Sequence, residues 1–430
     1  MRASDYPGSH SRRRPHRFLG AAVIVLLLAA TASTAGGLAA AVETPPPTPV
    51  DGKPSPFVTR LRTPAPSATA PEVRSPVAAL ADLDTGQVLY SKGLDRARPI
   101  ASVTKLMTAF LVLERTAPQD TVTVSRNAAP SVTGYHGSEL DLRPGERLSV
   151  RDLLYGLLVQ SSNDAAIALA EHVSGSVDAF VRLMNRRAKR LGMRDTRYFS
   201  PNGLDDRGRS TARDLITITQ ADYRFAEFAR IVSTRVYEVP SPRGKPRKIQ
   251  NRNVLLWLYP GAIGVKTGYT AVAKFCVVGA AERDGMRLVT VVLGAPDEPF
   301  SDAAALLSYG FTAFERRSFV SVGDDLGPID ILGGRVWGSA GEDLRALVPR
   351  AAASEATRRI EADPRAGFPP ALGEEIATLR IRIPGLELGR IPVIASRVPP
   401  PPPPEPGPWW RRTASAVVDA VGDVVHAALG

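Results

Sequence analysis

Apolar positions along the chain follow two different periods, and each period predicts a different kind of element. Residues 77–93 contain two apolar runs on either side of Asp84-Thr85-Gly86, a pattern that predicts a β-hairpin. The chain then becomes helix-rich, because apolar residues recur there at helical spacing. Helices are predicted over residues 102–115, 150–160, 163–173, 178–192 and 211–226.

Strand patterns return after this helix-rich part. Strands are predicted over residues 262–268, 274–282 and 286–295, and a helix over residues 302–314 closes the region. Strands at both sequence ends with helices inserted between them predict an α+β domain over residues 77–315. Its sheet is expected to combine N- and C-terminal strands.

The next part of the chain changes in character. From residue 316 to 398, short β-type runs are divided by glycine and proline, which predicts a small β-rich domain. Residues 43–76 are rich in Pro, Thr and Ser and predict an extended linker. Six consecutive prolines within residues 399–408 predict a stiff spacer.

Residues 409–430 form a candidate amphipathic tail helix. Their apolar positions fall on one helical stripe, which begins beside Trp409, Trp410, Arg411 and Arg412. Tryptophan and arginine at the start of such a helix suit a membrane interface. A helix packed on its own protein or on a partner has the same stripe, so both interpretations stay open.

Residues 1–42 have the layout of an export signal. Arg12, Arg13, Arg14 and Arg17 precede an apolar core over residues 18–30, and small residues follow it. The strictly apolar run is shorter than the roughly 20 residues that a spanning helix needs. A cleaved signal peptide and an uncleaved anchor both remain possible, and both place the rest of the protein outside the cytoplasm, secreted or associated with the cell envelope.

Composition adds two constraints. The formal net charge is +11, from 54 Lys and Arg against 43 Asp and Glu, and such a balance favours anionic partners. No basic run with interleaved aromatic residues occurs in the middle of the chain, so nucleic acid is not an expected partner. The single cysteine, Cys276, excludes an intramolecular disulfide and lies in an apolar stretch typical of a core position.

Candidate chemistry begins with Ser102-Val103-Thr104-Lys105 at the start of an apolar helix. A spacing of three residues places the serine and the lysine on one helical face. A serine hydroxyl needs an adjacent base to become a good nucleophile, and a lysine can be that base when burial lowers its pKa. A capping serine with a surface lysine is the commoner explanation of such a tetrapeptide. The almost wholly apolar segment after Lys105 favours a buried, functional lysine.

Two further motifs are, like the Ser102–Lys105 tetrapeptide, common by chance when each is taken alone. Ser161-Ser162-Asn163 lies between two predicted helices, where a hydroxyl and an amide can face a cleft or simply cap a helix. Lys266-Thr267-Gly268 ends a predicted strand. A cation beside a hydroxyl suits a carboxylate, and the glycine permits a ligand to approach the strand closely.

Together and in this order, the three motifs resemble the signature of penicillin-binding proteins and serine β-lactamases. The intervals of 59 residues from Ser102 to Ser161 and 105 from Ser161 to Lys266 resemble those of the D-alanyl-D-alanine carboxypeptidases. The segments that share this local resemblance are ARPIASVTKLMTA, VRDLLYGLLVQSSNDAAIALAE, SPNGLDD and IGVKTGYT. The resemblance covers about residues 75–315 and implies a β-lactamase/transpeptidase-like fold in which a helical cluster is inserted in the sheet.

The resemblance also implies an activity and a role for each motif residue. Ser102 would attack the bond between two D-alanines of a peptidoglycan stem peptide and form an acyl-enzyme, with Lys105 as its base. Ser161 and Asn163 would assist proton transfer and bind the substrate amide. Lys266 and Thr267 would hold the terminal carboxylate, with Gly268 beside them as a further substrate-binding residue. The backbone N–H groups of Ser102 and Tyr269 would form the oxyanion hole. The same resemblance implies β-lactam antibiotics as covalent inhibitors and no metal or cofactor.

Two positions depart from the family pattern. Lys274 follows Ala273 where a small Ala-Gly pair is usual, and Ser162 replaces a more common glycine. The family also leaves three alternatives open: a D,D-endopeptidase, a β-lactamase, and a non-catalytic protein that binds peptidoglycan. The β-lactamase is disfavoured because Glu171, Glu227 and Glu238 do not stand in a recognisable form of the motif that activates its water.

Overall fold

The structure is a computed structural model that describes residues 67–130, 138–242 and 244–398, and residues 417, 418, 420–425 and 427 of the tail. The predicted export signal, most of the linker, the proline spacer and the start of the tail lie outside the described residues. Packing begins before the predicted domain boundary at residue 77. Val73 and Ser75 are buried, and the backbone N–H of Ser75 donates to Asp302 at 2.9 Å.

An antiparallel five-stranded sheet forms the centre of the larger domain, in the order β2-β1-β11-β10-β9. Its strands are β1 Val77–Asp82, β2 Val88–Lys92, β9 Ala262–Thr270, β10 Lys274–Arg283 and β11 Met286–Ala295. The pairing of β1 with β11, with Val77 opposite Leu293, joins the two ends of the domain and confirms the predicted topology. Strand β9 is the outer strand on one side of this sheet.

Helices cover both faces of the sheet because its strands are apolar on both sides. The helices are α1 Lys105–Arg115, α2 Val150–Tyr155, α3 Asn163–Ser174, α4 Val177–Arg190, α5 Ala212–Asp222, α6 Ala226–Ser233, α7 Leu255–Leu258 and α8 Pro299–Ala313. Helix α8 packs on one face, and the cluster from α1 to α6 packs on the other. Short strand pairs brace this cluster: β3 Arg98–Pro99 with β6 Arg209–Ser210, β4 Thr121–Thr123 with β5 Arg147–Ser149, and β7 Val236–Val239 with β8 Arg247–Gln250.

Several predicted helix bounds need correction. The helix expected from residue 102 begins at Lys105, after a 3-10 turn over Ala101–Thr104. The helix expected over residues 150–160 ends as a π-helical turn, Gly156–Gln160. The one expected over residues 211–226 stops at Asp222, and the separate helix α6 follows. Apolar periodicity continues through such breaks, so it does not reveal them.

The C-terminal domain is a β-structure with its own core. Its strands are β12 Phe314–Val320, β13 Asp325–Ile331, β14 Gly334–Ala340, β15 Leu344–Pro349, β16 Thr357–Ala362, β17 Glu375–Ile383 and β18 Leu386–Arg397. Strand β12 pairs with β15, and the other five form a sheet in the order β13-β14-β18-β17-β16. Alternating buried residues of these strands, such as Leu379, Ile381 and Ile383, form the core and confirm the predicted β-rich domain.

Polar contacts tie the two domains together. Arg316 donates to Asp82 at 3.0 Å and to Asp84 at 2.9 Å, at the end of the β1–β2 hairpin. The side-chain amide of Gln87 bonds both backbone groups of Leu347, at 2.7 and 3.0 Å. Because Asp82 is buried, its ion pair with Arg316 holds the second domain at this hairpin.

The described residues of the tail are helical and exposed, including Val417, Val418, Val421, Val424 and Val425. Within the described part of the chain, no helix combines the length and the apolar character that a membrane crossing requires.

Candidate active site

The 3-10 turn before helix α1 brings Ser102 and Lys105 into contact. Residues three apart lie directly above one another in such a turn. The Lys105 Nζ consequently lies 2.9 Å from the Ser102 Oγ. Ser102 remains partly exposed, whereas Lys105 is fully buried, so a ligand can reach the hydroxyl while the amine stays shielded from water.

Two further oxygens surround the Lys105 amine. The Asn163 Oδ1 and the backbone carbonyl of Asn202 each lie 2.8 Å from Nζ. A protonated lysine donates three hydrogen bonds, and loss of one proton leaves two donors and a lone pair. When Asn163 and Asn202 accept the two remaining N–H bonds, the lone pair points at the Ser102 hydroxyl. This is the arrangement of a nucleophile and its base.

Burial favours the unprotonated form of the Lys105 amine, so that this form is populated near pH 7. It lowers the pKa of Lys105 from 10.5 to about 7, while the carboxylates of Asp164 and Glu139 favour the charged form and oppose this effect. At this pKa, about half of the molecules carry the unprotonated amine at neutral pH, whereas an ordinary lysine is almost wholly protonated. Lys105 can therefore act as a proton acceptor.

The second motif forms the turn between the π-helical segment and α3. Ser161 has a left-handed φ of 67° and ends that segment, and Asn163 is the first residue of α3. Helix capping does not explain the motif, because the N-cap residue Ser162 makes no side-chain capping bond. The Ser162 hydroxyl is buried and has no hydrogen-bond partner in the described residues. A more common glycine at this position would avoid that cost.

Asp164 is not among the predicted site residues, although it holds the wall of the site in place. Its carboxylate accepts the backbone N–H groups of Leu140 and Leu142 at 2.9 and 3.1 Å. Burial raises the pKa of Asp164 to about 6, and the backbone hydrogen bonds oppose that rise. Its place beside Asn163 is the only signal of this role in the sequence.

The Asn202 carbonyl is a second contribution that the motifs do not predict. Gly203 has a φ of +82°, and a Cβ there would overlap the carbonyl oxygen of Ala101. Glycine thus lets this loop approach the turn that carries Ser102. The SPNGLDD resemblance marks the loop, but the chemical group is backbone, which side-chain patterns do not show.

Strand β9 forms the opposite side of the site. A Cβ at Gly268 would lie 2.9 Å from the backbone nitrogen of Ser102. The glycine therefore permits close approach of protein backbone, rather than only of a ligand as expected from the sequence. Tyr269 follows it, is partly exposed, and packs its ring on Phe275 with centroids 4.7 Å apart.

Lys266 and Thr267 are both buried in β9, and the Lys266 Nζ donates to the Thr267 carbonyl at 2.9 Å. Burial lowers the pKa of Lys266 well below its ordinary value, and the positive charges of Lys105 and Arg252 lower it further. An incoming carboxylate would supply the negative charge that stabilises a protonated Lys266. In the described residues, no group of three or more His, Cys, Asp and Glu side chains is placed to hold a metal ion.

Comparison with known proteins agrees with this geometry. The family model for D-alanyl-D-alanine carboxypeptidase matches residues 65–297. The D-alanyl-D-alanine carboxypeptidase DacF of Bacillus subtilis is 31% identical over 341 residues, which cover 76% of this chain and 86% of that protein. The chain belongs to the D-alanyl-D-alanine carboxypeptidase family. It is accordingly a serine peptidase.

A D-alanyl-D-alanine endopeptidase of Escherichia coli is 33% identical over 258 residues, which cover 57% of this chain and 80% of that protein. The crystal structure of penicillin-binding protein 5 from Haemophilus influenzae matches with a TM-score of 0.69 and 29% identity, over 77% of this chain and 98% of that one. These similarities confirm the expected fold of this carboxypeptidase, including the β-rich C-terminal domain.

The departure at Lys274 has a backbone consequence. Lys274 has a φ of +60° at the start of β10, opposite Thr270 of β9. L-residues pay roughly 1 kcal/mol or more in this left-handed region, whereas glycine pays little. The family's usual glycine therefore fits the conformation better, and this carboxypeptidase has a lysine in a strained backbone conformation at the start of β10.

Replacing this lysine tests the strain. Lys274→Gly should raise the free energy of unfolding by roughly 0.5–1 kcal/mol, because glycine removes the left-handed strain but gains entropy when unfolded. Chemical denaturation measures the change. Lys274→Ala is the matched control, since it removes the same amine and keeps the strain. Equal stabilisation by both variants would contradict the backbone explanation.

Proposed function

We propose that Ser102 is the acyl-enzyme serine of a D-alanyl-D-alanine carboxypeptidase that removes the terminal D-alanine from peptidoglycan stem peptides. The contact between the Lys105 amine and the Ser102 Oγ, at 2.9 Å, carries this proposal. Few structural roles require a fully buried lysine whose hydrogen bonds leave a lone pair facing a serine. An acyl-transfer nucleophile requires it.

In acylation, the Ser102 oxygen bonds to the carbonyl carbon between the two D-alanines while its proton passes to Lys105. The C–N bond of the tetrahedral intermediate then breaks, and Lys105 returns the proton to the leaving amine. The products are the ester of Ser102 and free D-alanine. Ser161, buried at the turn before Asn163, is proposed to assist the transfer to the amine.

In deacylation, a water oxygen bonds to the ester carbon, and one water proton passes to Lys105. The ester C–O bond breaks, and Lys105 reprotonates the Ser102 oxygen. The enzyme is restored, and the shortened peptide leaves as a carboxylic acid that releases the second water proton to solvent. Charge and atoms balance with water as the only second substrate.

Substrate placement is proposed to use strand β9. Lys266 and Thr267 would bind the terminal carboxylate, and the Asn163 amide nitrogen, turned away from Lys105, would bind a substrate carbonyl. The contact of Gly268 with the Ser102 backbone places β9 beside the nucleophile, where the N–H groups of Ser102 and Tyr269 can stabilise the oxyanion. Such donors contribute roughly 3–4 kcal/mol each in related chemistry.

The β-lactamase alternative is weaker in the structure. Glu171 accepts from Ser125 and Asn127, and Glu227 pairs with Arg151 and Arg230. Both carboxylates are thus engaged by residues other than those of the three motifs. The endopeptidase alternative keeps its support, because a relative of that name shares the same domain.

Acylation can be tested with a fluorescent penicillin. The wild-type protein should be labelled at Ser102, and Ser102→Ala should lose all label while its unfolding transition stays close to that of wild type. Ser162→Ala is the control and should keep its label, because the Ser162 hydroxyl has no hydrogen-bond partner among the described residues. Label retained in Ser102→Ala would place the nucleophile elsewhere.

Mass analysis after incubation with a D-Ala-D-Ala peptide and with cross-linked muropeptides distinguishes carboxypeptidase from endopeptidase.

The pKa of Lys105 predicts how acylation depends on pH. The rate of penicillin acylation should rise with pH through a midpoint of about 7, because the unprotonated amine is the base and is lost as the pH falls. Asp164→Asn should move the midpoint to lower pH, since the Asp164 carboxylate raises the pKa of Lys105. Stopped-flow acylation at constant ionic strength measures both profiles. Asp95→Asn, at an exposed ion pair with Arg213, is the control and should leave the midpoint in place. A midpoint that moves upward in Asp164→Asn would contradict the assignment.

We also propose that the enzyme works outside the cytoplasm and contacts a membrane surface through residues 409–430. The arginine-rich apolar segment in residues 1–42 supports export, and the exposed valines of the tail support the membrane contact. Deletion of residues 409–430 should move the protein from the membrane fraction to the soluble fraction. The test uses cells in which residues 1–42 are cleaved from the protein, so that this segment cannot act as an anchor. An unchanged distribution in such cells would overturn the role of the tail.

A further inference from the structure

A groove on the outer side of the helical cluster carries a concentration of positive charge that the peptidase reaction does not use. It has a volume of about 680 Å³. Six cations line it together with Asn185, Thr196 and a single carboxylate, Asp195. They are Arg182, Arg186, Lys189, Arg194, Arg197 and Arg209.

These six cations are exposed and are not neutralised by the protein. None of them lies within 4 Å of a carboxylate oxygen in the described part of the chain, whereas many other exposed arginines, such as Arg213 and Arg335, are ion-paired. Like charges held together in this way repel one another and cost stability. A bound anion would remove that cost.

The cations line both walls of the groove. Arg182, Arg186 and Lys189 lie on one face of α4, over about 10 Å at a rise of about 1.5 Å per residue. Arg194, Arg197 and Arg209 come from the facing segment, where β6 and the bridge of Arg197 with Arg209 hold the chain. A ligand with several anionic groups along its length fits this spacing better than a single small anion.

Parts of the groove are fixed in advance. The Asn185 side chain bonds both backbone groups of Tyr198, at 2.8 and 2.9 Å, and so locks the facing wall onto α4. Arg197 and Arg207 both lie over the Phe199 ring, at 5.0 and 4.6 Å from its centroid. A guanidinium held in one orientation loses less entropy on binding, and its planar fork matches phosphate oxygens.

The chemistry of the lining selects among anionic partners. The groove is concave and has no exposed apolar side chain, whereas a membrane-binding surface normally inserts apolar residues. The Phe199 ring beside the groove is covered by two arginines, Arg197 and Arg207, so it is a poor platform for base stacking. Five of the six cations are arginines, which suits phosphate groups. We propose that this groove binds a polymer with repeated phosphodiester groups.

The groove also lies close to the reaction. Asn202, whose carbonyl bonds Lys105, lies only six positions after Thr196 in the groove wall. At about 3.4 Å per residue this chain spans at most about 20 Å. A stem peptide attached to a polymer held in the groove would thus lie within reach of the site.

Binding of the full chain to a poly(glycerol phosphate) oligomer tests the proposal. The wild-type protein should bind, with an affinity that falls as salt rises. The triple variant Arg182→Glu, Arg186→Glu, Lys189→Glu should bind at least about tenfold more weakly, because three positive charges that attract the polymer become negative charges that repel it. The control variant Arg143→Glu, Arg224→Glu, Lys248→Glu makes the same change in net charge at exposed cations outside the groove, and should bind within about twofold of wild type.

Equal loss of binding in both triple variants, or no loss in the groove variant, would overturn the proposal. So would tighter groove-dependent binding of polyglutamate, of double-stranded DNA or of phosphatidylglycerol vesicles than of the phosphate polymer. If the groove variant retains binding to vesicles, that binding is assigned to residues 409–430 and does not contradict the groove proposal. Penicillin labelling of Ser102 should be equal in all variants, so a failure here is distinguishable from a failure of the proposed peptidase function.

Discussion

The burial of one lysine beside one serine is the constraint on which the site depends. A lowering of the Lys105 pKa from 10.5 to about 7 corresponds to roughly 5 kcal/mol against the charged amine. The fold bears that cost because the amine keeps three hydrogen-bonding partners in the interior. Without burial the amine would be protonated and could not accept a proton. Without the partners it would be a buried, unsatisfied group, which proteins rarely tolerate.

Each partner of Lys105 comes from a different part of the helical cluster. Ser102 lies in the turn before α1, Asn163 begins α3, and Asn202 lies in the loop that leads to β6. Two backbone positions near these groups are left-handed without being glycine: Ala101 with a φ of 46° and Ser161 with a φ of 67°. Such positions persist only where surrounding packing enforces them, and they concentrate at functional sites. The dense core around α1 provides that packing.

The sequence was sufficient to predict that Ser102 and Lys105 lie together and that the central sheet combines N- and C-terminal strands. The i, i+3 relation of Ser102 and Lys105 is local, so the sequence contains it. The Asn202 carbonyl and the Asp164 carboxylate could not be predicted in the same way, because their roles depend on contacts with distant segments and partly on backbone atoms. That Gly268 lies against the turn of Ser102 could not be predicted for the same reason. Its missing side chain admits the turn of Ser102, which lies far away in the sequence.

One loop serves two sides of the enzyme. Residues 194–210 present Arg194, Arg197 and Arg209 to the groove and turn the carbonyl of Asn202 towards Lys105. Side chains of this loop are therefore poor places to alter the groove, because a shift of its backbone would also change the hydrogen bonds of the base. Helix α4 offers a cleaner separation. Arg182, Arg186 and Lys189 contribute charge to the groove from a regular helix whose buried face, formed by Phe180, Met184 and Ala188, holds its position independently of that charge. Recognition of a polymer and activation of the serine can thus vary separately in this fold.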